Sequence, residues 1–175
     1  MPTIAELKEW APVVASVASA VAALAALANL MFQSSNARRT RALNLLFKKE
    51  AEFDTERMRA TRAKAAADLL AGGVTAEKSL DVEDVLNFME SVASLVQEGD
   101  IRLDQAWNTF YGWFGPWYDA TKALVDAERG KDSSVSKDIG PLHEAMQRLQ
   151  ARRGKPMPRS LPTETITFLN DEARR

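Results

Sequence analysis

Cysteine is absent from the 175 residues, and histidine occurs once, at His143. The usual zinc site needs several cysteine or histidine ligands, so it cannot be assembled within one chain. A Cys–His pair is excluded outright. A serine triad would have to use His143 as its base, and no nucleophile motif accompanies it. A nuclease pattern of the Arg-x4-His type fails too, because Asp138 stands where the arginine belongs. His143 follows Pro141-Leu142 in an expected first helical turn, which makes it an ordinary helix residue. The missing cysteines also agree with a reducing compartment, though such absences are common.

Glycine and proline are scarce, at 8 and 7 residues. Gly72-Gly73 lacks the strand, lysine and hydroxyl of a phosphate-cradling loop. Aligning Gly99 with the glycine of an EF-hand loop puts Ser94, Val96 and Glu98 at the first three ligand positions and Gln105 at the last. The bidentate terminal glutamate that calcium requires is missing. No catalytic residue, metal site or cofactor is therefore expected, and the protein reads as non-enzymatic. No β-type alternation persists anywhere, so the fold class is all-α.

Charge is also missing, between Glu9 and Arg38. Within that gap Pro12–Phe32 reads PVVASVASAVAALAALANLMF, and about 20 apolar residues match the thickness of a bilayer core. A buried or surface helix and a cleaved signal peptide are the rivals. The alanine content favours the first rival. The leading Glu6, Lys8 and Glu9 weigh against the second, which starts from a positive flank. A single transmembrane helix over 12–33 is preferred, after a short extracytoplasmic segment 1–11. Arg38, Arg39, Arg41, Lys48 and Lys49 follow it with no acid before Glu50. By the positive-inside rule they belong at cytoplasmic headgroups, leaving the N-terminus outside. Ala15, Ser19, Ala22, Ala26 and Asn29 form one stripe, continued by Gln33. Small residues allow close helix approach and Asn29 can bond across it, so self-association into a homo-oligomer is expected.

Residues 36–71, free of proline and glycine, predict one long juxtamembrane helix continuing from the span, with a break considered near Ser34-Ser35. Leu43, Phe47, Ala51, Met58, Ala65 and Leu69 keep helical spacing, but Asp54 and Thr61 interrupt it. A second helix follows from Asp81, read as its N-cap, with Leu80 stapled to Val85 and Gly99 at its end. Trp107, Phe110, Phe114 and Trp117 lead an aromatic core in 103–129, as one helix kinked at Pro116 or as two short ones. A last bundle helix starts at Pro141 and ends at Arg153. Residues 80–153 are thus a small cytoplasmic helical bundle, and 154–175 a proline-broken tail with a short helix from about Glu164 to Ala173.

Net charge is −1 but segregated. Residues 38–68 carry nine basic and five acidic side chains, 77–104 two and eight, and 129–175 ten and six. This pattern favours neutralisation within or between subunits over one basic face. Nucleic-acid contact through Arg38, Arg39, Arg41, Lys48 and Lys49 is therefore disfavoured, and the aromatic segment holds too few cations for base stacking. Asn87 and Glu90 are neighbours on their helix and could form a polar link, such as Glu90 to Arg129.

Leu86-Asn87-Phe88-Met89-Glu90, then Val96 to Asp100, then Asp104, Trp117 and Arg129, resemble the pattern of a family of small bacterial proteins, domain of unknown function 4760. The resemblance covers roughly residues 10–152. It implies one N-terminal span before a helical cytoplasmic region, hence the bacterial inner membrane, with Asn87, Glu90, Asp104 and Arg129 as its polar positions. It implies no activity. A membrane-anchored, self-associating interaction protein with an unidentified protein partner is the expectation. An oligomeric effector that permeabilises the bilayer is the alternative.

Overall fold

The computed structural model describes residues 4–72, 79–154 and 162–175; within these, the side chains of residues 4–18, 20, 22, 23 and 162 are not described. The described residues form six helices and no strand: α1 (Ile4–Phe53), α2 (Glu56–Gly72), α3 (Leu80–Gln97), α4 (Leu103–Arg129), α5 (Ile139–Arg152) and α6 (Pro162–Ala173). The chain divides into two units, residues 1–41 and 42–175.

In the first unit α1 carries Val21, Leu24, Leu27, Leu30, Met31 and Phe32, all more than half exposed. It passes Ser34-Ser35 unbroken. Ser34 Oγ donates to the Met31 carbonyl at 3.0 Å, within the same turn. Among the described residues no helix is long and apolar enough to cross a membrane. Much of the expected span, residues 12–18, 20, 22 and 23, lies outside the described side chains.

The second unit is a helical bundle. The single helix expected over 36–71 is interrupted: α1 stops at Phe53 and α2 starts at Glu56. On α1 the expected apolar repeat of Leu43, Phe47 and Ala51 misses most of the buried face. Phe47 and Ala51 are exposed, whereas Ala42, Leu46 and Phe53 are buried. Helix α2 packs on α3 and α6, α4 packs on α5 and α6, and α3 also meets α4 and α5. Val85, Met89, Val92, Phe110, Phe114, Trp117, Ile139 and Met146 are at most 1% exposed and form the centre.

Local chemistry sets the helix ends. Ser79, not Asp81, caps α3, accepting from the Val82 N–H at 3.1 Å. A Ser79 cap leaves Asp81 in the first turn, where its charge suits the helix dipole. Leu80 is 80% exposed, so no staple forms with Val85. Gly99 adopts φ +78° after α3, a conformation costly for a side chain. That turn lets Ile101 N–H reach back to the Leu95 carbonyl at 3.0 Å.

Helix α4 continues through Pro116 as one helix. Proline deprives the Gly112 carbonyl of its usual donor. Gly112 is exposed, so water can satisfy that carbonyl. Helix α5 begins at Ile139, two residues before Pro141, which occupies its first turn where no intrahelical donor is needed.

The segment 154–175 contributes a bundle helix rather than a tail. Leu169 of α6 is 5% exposed, and Phe168 meets Trp117 edge-on with ring centroids 5.8 Å apart. The bundle therefore includes α2 and α6 as well as 80–153. Leu169→Ala is expected to cost about 2–5 kcal/mol, the range for a buried leucine truncation. Ile166→Ala, on the exposed side of α6 at 52%, should stay within about 0.5 kcal/mol. Denaturant unfolding followed by tryptophan fluorescence checks both.

Candidate functional site

The break between α1 and α2 is built from its own polar groups. Thr55 Oγ1 donates to the Glu52 carbonyl at 2.8 Å and accepts from the Met58 N–H at 3.2 Å. It thus closes α1 and caps α2. The Asp54 carbonyl accepts from Arg59 Nε at 2.9 Å and Nη2 at 2.7 Å. Phe53, the last residue of α1, stacks on Trp113 with centroids 4.1 Å apart and tilts toward Phe88 at 5.5 Å.

The Arg62 guanidinium of α2 lies 3.7 Å from the Phe53 ring centre. Its Nε is 3.4 Å from Glu172 Oε2 of α6, and both side chains are 3% exposed. Neither of those two atoms completes a hydrogen bond. Burial holds the Arg62 guanidinium below its ordinary range, and Glu172 opposes that effect. Arg175 Nη1 adds a second contact to Glu172 Oε1 at 2.9 Å.

This bend opens a groove of about 500 Å³, within the size range of small-molecule pockets. Lys49 and Glu52 of α1 and Thr55 of the break form one rim. Arg57, Met58 and Thr61 of α2 form a second wall. Asp84, Asn87, Phe88 and Ser91 of α3 form the third. Lys49 Nζ pairs with Glu52 Oε2 at 2.9 Å and sits 5.3 Å from the centre of the Phe88 ring. Ser91 Oγ donates to the Phe88 carbonyl at 2.7 Å. No group of three or more acidic, histidine or cysteine side chains suits a metal ion among the described residues.

The polar positions singled out in the sequence do not converge. Asn87 lines the groove. Glu90 faces away, and both its carboxylate oxygens accept from the Asp138 N–H at 3.3 Å. Ser94 Oγ donates to Asp138 Oδ2 at 3.2 Å, so α3 caps the start of α5. Glu90 therefore engages α5 and not Arg129, which is exposed in the last turn of α4. Burial raises the Glu90 carboxyl above its ordinary value, partly offset by the Asp138 N–H. Asp104 pairs with Arg102 at 3.1 Å.

Of the basic residues after the apolar stretch, Arg38, Arg39, Arg41 and Lys48 are exposed, while Lys49 is drawn into the groove. Ser19, Ala26 and Asn29 are exposed, and Asn29 Oδ1 accepts from Gln33 Nε2 at 3.3 Å. Ala15 and Ala22 lie outside the described side chains. Phe110, Phe114 and Trp117 are buried. Trp107 is half-buried, stacked on Tyr111 at 5.4 Å with the Arg153 guanidinium 4.5 Å from its ring centre. Thr55, Arg57 and Thr61 were not singled out as site residues. The available signal was Asp54 and Thr61 at positions where a continuous helix wanted apolar residues.

His143 is 6% exposed, packed against the Tyr118 ring at 4.3 Å, and its Nε2 accepts from Gln147 Nε2 at 3.2 Å. Burial holds the imidazole below its ordinary value of 6.5, while Asp119 and Glu144 pull the other way. The folded state thus prefers the neutral ring. That preference stabilises fully above pH 6.5 and is lost as pH falls through the lower folded value. Unfolding free energy is expected to drop as pH falls below about 6.5, and His143→Gln should flatten that slope. Denaturant titrations across the pH range measure it.

A family model described as Domain of unknown function (DUF4760) matches residues 14–139. The match contains every groove residue and stops at the first residue of α5, short of the 152 expected from the resemblance. No curated protein and no solved structure matches the chain. Because the family model covers more than two thirds of the 175 residues, the chain belongs to the Domain of unknown function (DUF4760) family.

Proposed function

We propose that this protein is a membrane-anchored interaction protein without catalytic activity, fixed by its N-terminal segment and self-associating through it. The observation that carries this reading is the exposure of Val21, Leu24, Leu27, Leu30, Met31 and Phe32, from 55% to 72%, on one helix. Six large apolar side chains in twelve residues exceed what a soluble surface tolerates singly, and such patches mark membrane or protein contact. The cations that follow, Arg38, Arg39, Arg41 and Lys48, are exposed. They suit anionic headgroups on the cytoplasmic side of an inner membrane.

Self-association rests on Asn29 and Gln33, two exposed amides bonded to each other in the apolar stretch. In a lipid environment an amide pair gains from meeting its copy on a neighbouring helix, by roughly 0.6–2 kcal/mol. Small residues on the same stripe, Ser19 and Ala26 among them, permit the close approach that this requires. The bundle of residues 42–175 then serves as the part that meets a partner protein.

Alkaline extraction of membranes from expressing cells tests the anchor. The chain is expected in the pellet, and Leu24→Arg with Leu27→Arg should move it to the supernatant. In mild detergent, Asn29→Leu should reduce the oligomer to smaller species. A wild-type chain that is fully extractable, or strictly monomeric in detergent, would count against the respective part.

A further inference from the structure

We propose that the groove between α1, α2 and α3 binds a small zwitterion, with its anionic end on Arg57, its ammonium end on Asp84 and its apolar body on Phe88. Charge balance selects this chemistry. The lining holds two cations, Lys49 and Arg57, and two anions, Glu52 and Asp84. A plain anion or a plain cation would therefore meet as much repulsion as attraction. Lys49 and Glu52 neutralise each other at 2.9 Å. Arg57 on α2 and Asp84 on α3 make no ion pair with each other or with another described residue, and they stand on different walls of one groove.

Two neutral groups extend the complementarity. Thr61 is 8% exposed and lines the groove, yet its hydroxyl makes no side-chain hydrogen bond to a described residue. That hydroxyl is open to the groove, where a ligand group can take the place of water. Asn87 likewise offers an uncommitted amide, which can donate and accept at once. The other hydroxyls of the lining, on Thr55 and Ser91, are committed to backbone carbonyls. The polar groups left for a ligand are thus one cation, one anion, one hydroxyl and one amide around an aromatic floor. About 500 Å³ accommodates an amino acid or short peptide, or an ethanolamine phosphate headgroup. Both carry an ammonium and an anion joined by a short body.

The test is calorimetric titration of the full chain in mild detergent. The probes are the dipeptide Leu-Leu, its N-acetylated and C-amidated forms, and a short-chain phosphatidylethanolamine with its phosphatidylglycerol counterpart. Binding of Leu-Leu, weakened at least tenfold by either blocking group, supports a free zwitterion. Binding of phosphatidylethanolamine in preference to phosphatidylglycerol supports the headgroup source. In either case Arg57→Gln and Asp84→Asn should each weaken binding about tenfold, and the isosteric Thr61→Val severalfold. Unfolding midpoints of Arg57→Gln and Asp84→Asn serve as the folding control, since both side chains are exposed. No binding of either zwitterion up to about 1 mM overturns the proposal. So does binding that Arg57→Gln and Asp84→Asn leave unchanged.

Discussion

One guanidinium ties three parts of the bundle together. Arg62 belongs to α2, lies over Phe53 at the end of α1, and faces Glu172 on α6, all with almost no access to solvent. Withdrawing two charges from water costs several kcal/mol per ion unless the partners are well placed. Here the contact is offset at 3.4 Å, and Arg175 shares the carboxylate. The pair is therefore better understood as fixing a position than as a source of net stability. It fixes the bend at Asp54-Thr55 and the docking of the C-terminal helix together. Phe53 would otherwise lose the cation over its ring and keep only Trp113 and Phe88.

The groove is a consequence of that bend. Had α1 run on through Asp54, Arg57 and Thr61 would have continued along the same helix as Lys49 and Glu52. Redirecting α2 gives Asp84, Asn87 and Phe88 of α3 facing walls from two helices. The site thus arises from a change of helix direction, with side chains separated by up to 42 positions brought into one cavity. Its electrostatics follow the same logic. The nearest opposite charges, Lys49 and Glu52, are three residues apart and satisfy each other, while the charges on separate helices do not.

Much of the helical architecture was legible because it depends on apolar periodicity and on strong stop signals. The stripe from Val85 to Val96 and the turn at Gly99 are of that kind, as is the burial of Phe110, Phe114 and Trp117. What was illegible depends on competition between neighbouring caps or on distant partners. Ser79 and Asp81 are both good N-caps, and only the backbone decides for Ser79. Proline-free sequence from 36 to 71 hid the break, since a threonine cap can end a helix without glycine or proline. The polarity of α6, with Glu172 inward, disguised a docked helix as a tail, because its inward carboxylate finds Arg62 more than a hundred residues away. At the groove, Asn87 was singled out but for its spacing to Glu90, which turns to α5 instead.

The N-terminal segment and the bundle make separate demands on the sequence. Alanine and valine dominate the one, and segregated charge with a tight aromatic cluster the other. The bundle depends on the Arg62 junction, and a double-mutant cycle between Arg62→Met and Glu172→Met reads it directly. Glu172→Met strands the buried Arg62 guanidinium and should cost about 3–5 kcal/mol, Arg62→Met leaves Glu172 with Arg175 and should cost less, and the double substitution should cost far less than the sum. Additive losses, or single substitutions without effect, would contradict the junction and the groove that depends on it.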